Sequence, residues 1–194
     1  MSMVISASSM LNRAYAGNLG YKDQSFRSCS SNHDVMSADR KAMVRALDRL
    51  EQLDFDSEDE NDAKSIYNAV TSYLDVYNNA VSSAMESDSS DIRRTGKNMK
   101  ALMKEYGSSL EEIGIQVKSD GTVKIEKNEL KKATTRQVSK VFGNKDYLSG
   151  MGRLMKKLRN QVNRESPKQE AVQETVKSTD LPSESVGKNL NLLV

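Results

Sequence analysis

Ile66, Val70, Tyr73, Tyr77, Val81 and Met85 stand three or four residues apart, a spacing that puts all six on one face of an α-helix but scatters them over both faces of a strand. It predicts a long helix at about 60–86. Met43, Val44, Leu47, Leu50 and Leu53 repeat the pattern upstream, with Arg40, Arg45, Asp48 and Arg49 off the stripe, and predict a helix over 37–53. Ile92, Met99, Leu102, Met103, Tyr106, Leu110 and Ile113 carry it downstream into a third helix, with Gly114 placed to end it. The short link ESDSSD makes the two long neighbours antiparallel. Charged residues are 29% of the 194 and hydrophobic ones 37%, with no Trp and three Phe, so apolar material is spread along stripes. A thin bundle fits this better than a thick core.

After Gly114 the period falls to two. Ile115 and Val117, then Asp120-Gly121, then Val123 and Ile125 predict a β-hairpin, because glycine accepts the positive φ of the turn. All four apolar side chains share one face of the ribbon, opposite Gln116, Lys118 and Lys124. A lone hairpin is marginal in water, so this one must rest on the helices, near Leu110, Ile113, Leu130 and Phe142. It would then clasp the long pair to the C-terminal helix. Leu130, Ala133, Val138, Val141 and Phe142 predict two short helices closed by Gly143. Tyr147, Leu148, Met151, Leu154, Met155, Leu158 and Val162 predict a last, basic helix at about 145–164. The expected fold class is mainly α: a long antiparallel helical pair or bundle, one small β-hairpin at about 115–125, and a disordered C-terminal tail.

Length allows one compact unit with tails, divided as a weakly ordered segment 1–34, a helical domain 35–164 and a disordered tail 165–194. The first segment holds a weak amphipathic helix with Val4, Ile5, Met10, Leu11 and Tyr15, then Gly17, Gly20 and the Ser-rich stretch 25–31, read as mobile. The tail is rich in Ser, Gln, Glu and Lys but closes on apolar Leu190, Leu192, Leu193 and Val194. No run approaches the roughly 20 apolar residues of a membrane span. Ala14-Tyr15-Ala16 has the form of a cleavage site, but no basic leader or unbroken apolar run precedes it. The cytoplasm, or export without a cleaved signal, is expected.

Catalysis finds no foothold. Cys29 is the only cysteine and His33 the only histidine, so a disulfide framework, a thiolate cluster and a two-histidine metal site are excluded within this sequence. Both lie among Ser and Asn, where a nucleophile and its base lack the rigid scaffold they need. Asp54, Asp56 and Glu58 alternate as calcium ligands do, but Asp59 stands where the loop needs Gly and Ser65 where it needs a bidentate Glu. Gly150-Met151-Gly152 lacks the strand and Lys-Ser/Thr pair of a phosphate loop. The expectation is a non-enzymatic protein without cofactor or metal.

Charge is unevenly placed. The formal total is +2, yet residues 127–164 carry eleven Lys or Arg against Glu129 and Asp146, while 54–62 is almost wholly acidic. In the last helix Arg153, Lys156, Lys157 and Arg159 surround an apolar stripe. That face suits an anionic membrane surface, an acidic partner or nucleic-acid phosphate. The plainer reading, which the core-like spacing of the stripe favours, is a bundle helix with a solvated outer side.

Residues 70–142 carry a more specific pattern: Val-Thr-Ser-Tyr-Leu-Asp-Val-Tyr-Asn-Asn, a helix, Leu110-Glu-Glu-Ile-Gly-Ile115, Asp120-Gly121-Thr-Val123, Leu130, and Val138 to Phe142. Over about 60–160 this resembles the C-terminal conserved region of the flagellar filament cap (hook-associated) family. The resemblance implies a leg-like helical domain with a small hairpin, in an exported oligomer at the tip of the bacterial flagellum that guides flagellin assembly. Its partners would be flagellar axial proteins, or further copies met through the helices. Tyr73, Tyr77, Asn78, Ile113, Gly114, Ile115, Asp120, Gly121, Leu130 and Phe142 would be structural or interaction positions, not catalytic ones. The chain departs from the family in having no large head region, an unlike N-terminal third, and a single helix between the hairpin region and the tail. Binding of nucleic acid or an anionic surface through the basic helix is the alternative.

Overall fold

The computed structural model describes residues 5–57 and 59–165. Its elements run α1 (Ala7–Ala14), a 3-10 turn (Leu19–Lys22), α2 (Gln24–Ser28), α3 (Asn32–Glu51), α4 (Glu60–Met85), α5 (Ser90–Glu105) and α6 (Gly107–Glu111). The hairpin strands β1 (Ile115–Val117) and β2 (Val123–Ile125) follow, then α7 (Lys127–Lys132), α8 (Thr135–Phe142) and α9 (Lys145–Glu165). The mainly helical class with one hairpin is as expected. Of the expected tail 165–194, Glu165 instead ends α9, and residues 166–194, with the apolar end, lie outside the described residues.

Three of the predicted helices, α3, α4 and α8, start at a side-chain cap. Ser31 Oγ accepts from Asp34 N ahead of α3, and Asp59 Oδ1 accepts from Asn61 N ahead of α4. Glu60 and Asp62 follow in the first turn of α4, where the helix dipole favours negative charge. Thr134 and Gln137 form a reciprocal capping box on α8.

Helices α3, α4, α5 and α9 close a four-membered ring, each packing on the next and α9 returning to α3. Every neighbouring pair is antiparallel. A buried hydrogen bond from Thr95 Oγ1 to Gln161 Oε1 at 2.9 Å marks one end of the α5–α9 contact. The Tyr106 and Tyr147 rings, 5.0 Å apart, mark the other. The core between the four is filled by Met43, Leu47, Leu50, Val70, Leu74, Met99, Met103, Met151, Met155 and Leu158, all buried. Residues 106–144 form one excursion between the adjacent helices α5 and α9.

Three expectations need correction. Residues 5–34 are not a weakly ordered leader: α1 packs along α4 and α3, burying Met10, Ala14 and Tyr15, and α3 starts at Asn32 rather than 37. The Ser-rich stretch misled because its hydroxyls are used locally: Ser31 caps α3, Ser25 donates to Asp23, and Ser28 and Ser30 donate to the carbonyls of Ser25 and Phe26. The third helix does not run unbroken to Ile113; α5 ends at Glu105, Tyr106 leaves helical geometry, and Gly107 begins α6. The Tyr106 ring is spent on Tyr147 instead of continuing the stripe. Finally, the hairpin does not clasp the long pair to the C-terminal helix. Its side-chain anchors lie on α4, and α9 is held by α3 and α5.

Burial, the largest cause in each case, pushes the phenols of Tyr15, Tyr73, Tyr77 and Tyr147 up. A raised folded value means that these protons stabilise the fold fully below the ordinary phenol value of about 10, and that this contribution is lost as pH climbs through the folded values. Alkaline titration should therefore develop phenolate absorbance from these four only together with loss of helical circular dichroism. Smooth ionisation of all seven tyrosines in a still-folded protein would contradict the packing.

Candidate functional site

Eight of the ten positions picked out by the resemblance lie in the hairpin, directly beside it or bonded to it; Tyr73 and Phe142 do not. Tyr77, buried in α4, donates from its hydroxyl to Gly121 O at 2.9 Å. Asn78, the next residue, uses both amide atoms on β2: Nδ2 donates to Val123 O at 2.9 Å and Oδ1 accepts from Val123 N at 2.8 Å. This pair of bonds satisfies a backbone edge that a two-stranded ribbon would otherwise leave open. The ribbon pairs Ile115 with Ile125 and Val117 with Val123, and its apolar face turns inward, Ile115 and Val123 being fully buried. Leu110 and Ile113 just before it and Leu130 just after it are buried as well, while Phe142 is buried against Tyr73 and Tyr147.

The two glycines hold the turns. Gly114, with φ +77°, ends the α6 segment and enters β1. Gly121, with φ +81°, sits in the five-residue loop 118–122 and donates from its N to Lys118 O at 3.0 Å. Asp120 Oδ1 accepts from both Thr122 N and Thr122 Oγ1, at 2.8 and 2.6 Å. The Thr122 hydroxyl and then its backbone hold this carboxyl below the ordinary range. Gly121→Val should destabilise the protein by roughly 1–3 kcal/mol through backbone strain, whereas exposed Lys118→Ala should shift the unfolding midpoint little. Equal and negligible effects in chemical denaturation would remove the turn assignment.

Tyr73 and Phe142 belong to a second cluster. The Tyr73 and Tyr147 hydroxyls share a 2.6 Å hydrogen bond, and the rings of Tyr73, Phe142, Tyr147 and Tyr106 meet edge to face at 5.0 to 6.4 Å. This cluster staples α4, α5, α8 and α9 together. Its geometry is that of a packed polar pair in an aromatic shell.

Sequence reasoning missed the third polar centre. Asp39, fully buried in α3, takes both guanidinium nitrogens of Arg27 at 2.7 and 2.8 Å. The Tyr15 hydroxyl donates to the same Asp39 Oδ1 at 2.7 Å and accepts from Asn79 Nδ2 at 2.9 Å. Arg27 also donates to Tyr21 O at 2.9 Å. The knot ties the N-terminal segment to α3 and α4. Desolvation lowers the Arg27 value, but the hydrogen bond and charge of Asp39 overcome it, leaving the group raised.

Elsewhere the chemistry-bearing residues stand apart. Cys29 is exposed beyond α2, and His33 lies in the first turn of α3, its Nδ1 3.5 Å from Asp34 Oδ1. Asp54 uses Oδ1 to accept from Asp56 N, in an Asx turn, and Glu58 lies outside the described residues. Among the described residues no three His, Cys, Asp or Glu side chains are grouped to hold a metal. No described helix is long and apolar enough to cross a membrane.

The basic positions are on the surface. Arg153, Lys156, Lys157 and Arg159 are all exposed on α9, and among the described residues none of them forms an ion pair. Arg159 turns toward α3, where its charge, after burial, adds to the lowering of Arg40. Arg153 and Lys157 turn toward α5, flanking a cleft of about 460 Å³. A larger apolar cleft of about 630 Å³ lies between α4 and the α7–α8 pair, lined by Ile66, Tyr67, Val70, Leu130, Ala133 and Val138.

No family model, no curated protein and no solved structure matches this chain.

Proposed function

We propose that the chain is a non-enzymatic structural protein of the flagellar-cap kind, which works through protein–protein contact. The observation that carries this reading is the convergence of Tyr77, Asn78, Gly114, Gly121 and Leu130 on one clasp between α4 and the hairpin. Residues singled out by a resemblance that concerns structure alone are here spent on structure. The polar side chains of the clasp are committed to backbone atoms, and a surface for a partner is left on the outer helices. An epitope-tagged chain should co-purify with flagellar axial proteins or their export chaperones and be found in the secreted fraction. Retention in the cytoplasm without such a partner would overturn the proposal.

The exposed and unpaired cations of α9 favour a second reading, binding of nucleic acid or an anionic surface through Arg153, Lys156, Lys157 and Arg159. Affinity for a short duplex or for anionic vesicles should then fall steeply with salt, because phosphate contacts release counterions. Salt-independent affinity would remove this reading.

A further inference from the structure

The cleft between α5 and α9 differs from a plain cationic surface. Its floor is apolar: Leu102 and Leu154 are half-buried there, beside Ala101 and Gly150. Gly150, lacking a side chain, lets Leu102 of α5 approach α9 closely. A Cβ at that position would meet Leu102 Cδ2 at 3.2 Å. Along the rims the charge is mostly of one sign. Arg153 and Lys157 line the α9 side, and Arg164 continues their stripe at helical spacing. Arg94 begins the α5 stripe that runs through Asn98 and Ala101 to Glu105, the cleft's one lining carboxylate. These four cations make no ion pair among the described residues.

We propose that this trough docks an amphipathic helix of a partner protein, apolar side inward and carboxylates toward both rims. The proposal rests on the protein-interaction reading above and names the kind of partner. Two antiparallel helices leave between them a groove that accepts a third, with ridges in grooves, and small residues on its floor allow close approach. Anchors at i, i+3, i+4 and i+7 would lie on Ala101, Leu102, Gly150 and Leu154, and acidic flanks would meet Arg94, Arg153, Lys157 and Arg164. A phosphate backbone fits less well, since it has nothing to place on the apolar floor between the cations.

The test uses the full chain and a synthetic amphipathic peptide with Leu at the anchor spacing and Glu on both flanks, with a scrambled peptide of equal composition as control. Binding is followed by fluorescence anisotropy. The designed peptide should bind more tightly than the scrambled one. Its affinity should fall by roughly tenfold or more in Arg153→Glu/Lys157→Glu, which alters the rim, and in Ala101→Trp, which fills the trough with every charge kept. Should the charge reversal lower the melting temperature, Ala101→Trp alone decides. Equal binding of both peptides, or an Ala101→Trp protein that binds as the parent does, overturns the proposal. So does a short DNA duplex or a phosphatidylglycerol vesicle that binds more tightly than the peptide. Peptide binding that passes these controls, in a chain that captures no flagellar component in cells, would keep the docking face and remove the cap reading.

Discussion

Asp39→Ala lowers the stability of the fold by about 3–5 kcal/mol, a large share of the roughly 5–15 kcal/mol that holds an ordinary domain. The carboxylate accepts three hydrogen bonds, two from Arg27 and one from Tyr15, and its removal leaves Arg27, a residue 9% exposed, with only the weaker influence of Glu86 as counter-charge. Such a buried cation costs far more than its pair contributed. The decisive comparison is Arg27→Met/Asp39→Leu, which removes both charges and fills the space; it should recover most of the loss. Urea unfolding measures both. If the single substitution costs less than about 1 kcal/mol, the figure for an ordinary neutral hydrogen bond, the knot is not the anchor of the N-terminal segment.

Gly114→Ala is expected to cost about 2–5 kcal/mol, the other large effect. Positive φ alone accounts for about 1–2 kcal/mol in a residue with a side chain. The new methyl would also lie 2.5 Å from Glu129 Cβ and 3.2 Å from both Glu126 O and Leu130 N. Those atoms belong to the start of α7 and its entry, so the helix itself must move, a form of overpacking worth about 1–3 kcal/mol. Gly17 is the internal control: it has the same φ of 77°, and a Cβ there meets nothing within 4 Å. Gly17→Ala should cost the strain alone. Thermal melts of the two variants separate backbone strain from steric contact, and identical shifts would show that α7 yields freely.

What could be read from the sequence was local. The hairpin was legible because Ile115 to Ile125 carries its own period and turn residues within eleven positions. The start of α4 was legible because Asp59, Glu60 and Asp62 sit next to the stripe they cap. The polar centres were not, because their partners are far apart in sequence: Asp39 meets Arg27 across 12 residues, Tyr15 meets Asn79 across 64, Thr95 meets Gln161 across 66 and Tyr73 meets Tyr147 across 74. Nothing in a serine-rich stretch announces that one arginine will be buried. Asn78, which grips both backbone atoms of Val123, carries no local signal of doing so, and nothing in the spacing of Tyr73 and Phe142 separates them from the hairpin residues, although they pack against Tyr147 instead.

The ring of four helices is completed by its last member, which is separated from the third by the excursion of residues 106–144. A ribosome that has just released α5 has still to make about 60 residues before α9 is whole, which takes roughly 3–12 s at ordinary rates of synthesis. Until then the faces of α3 and α5 that will receive Met151, Met155 and Leu158 stand open to water. The nascent chain therefore passes through a three-helix stage with an uncovered apolar seam, and a helper that shields this seam would act before α9 arrives and be displaced by it.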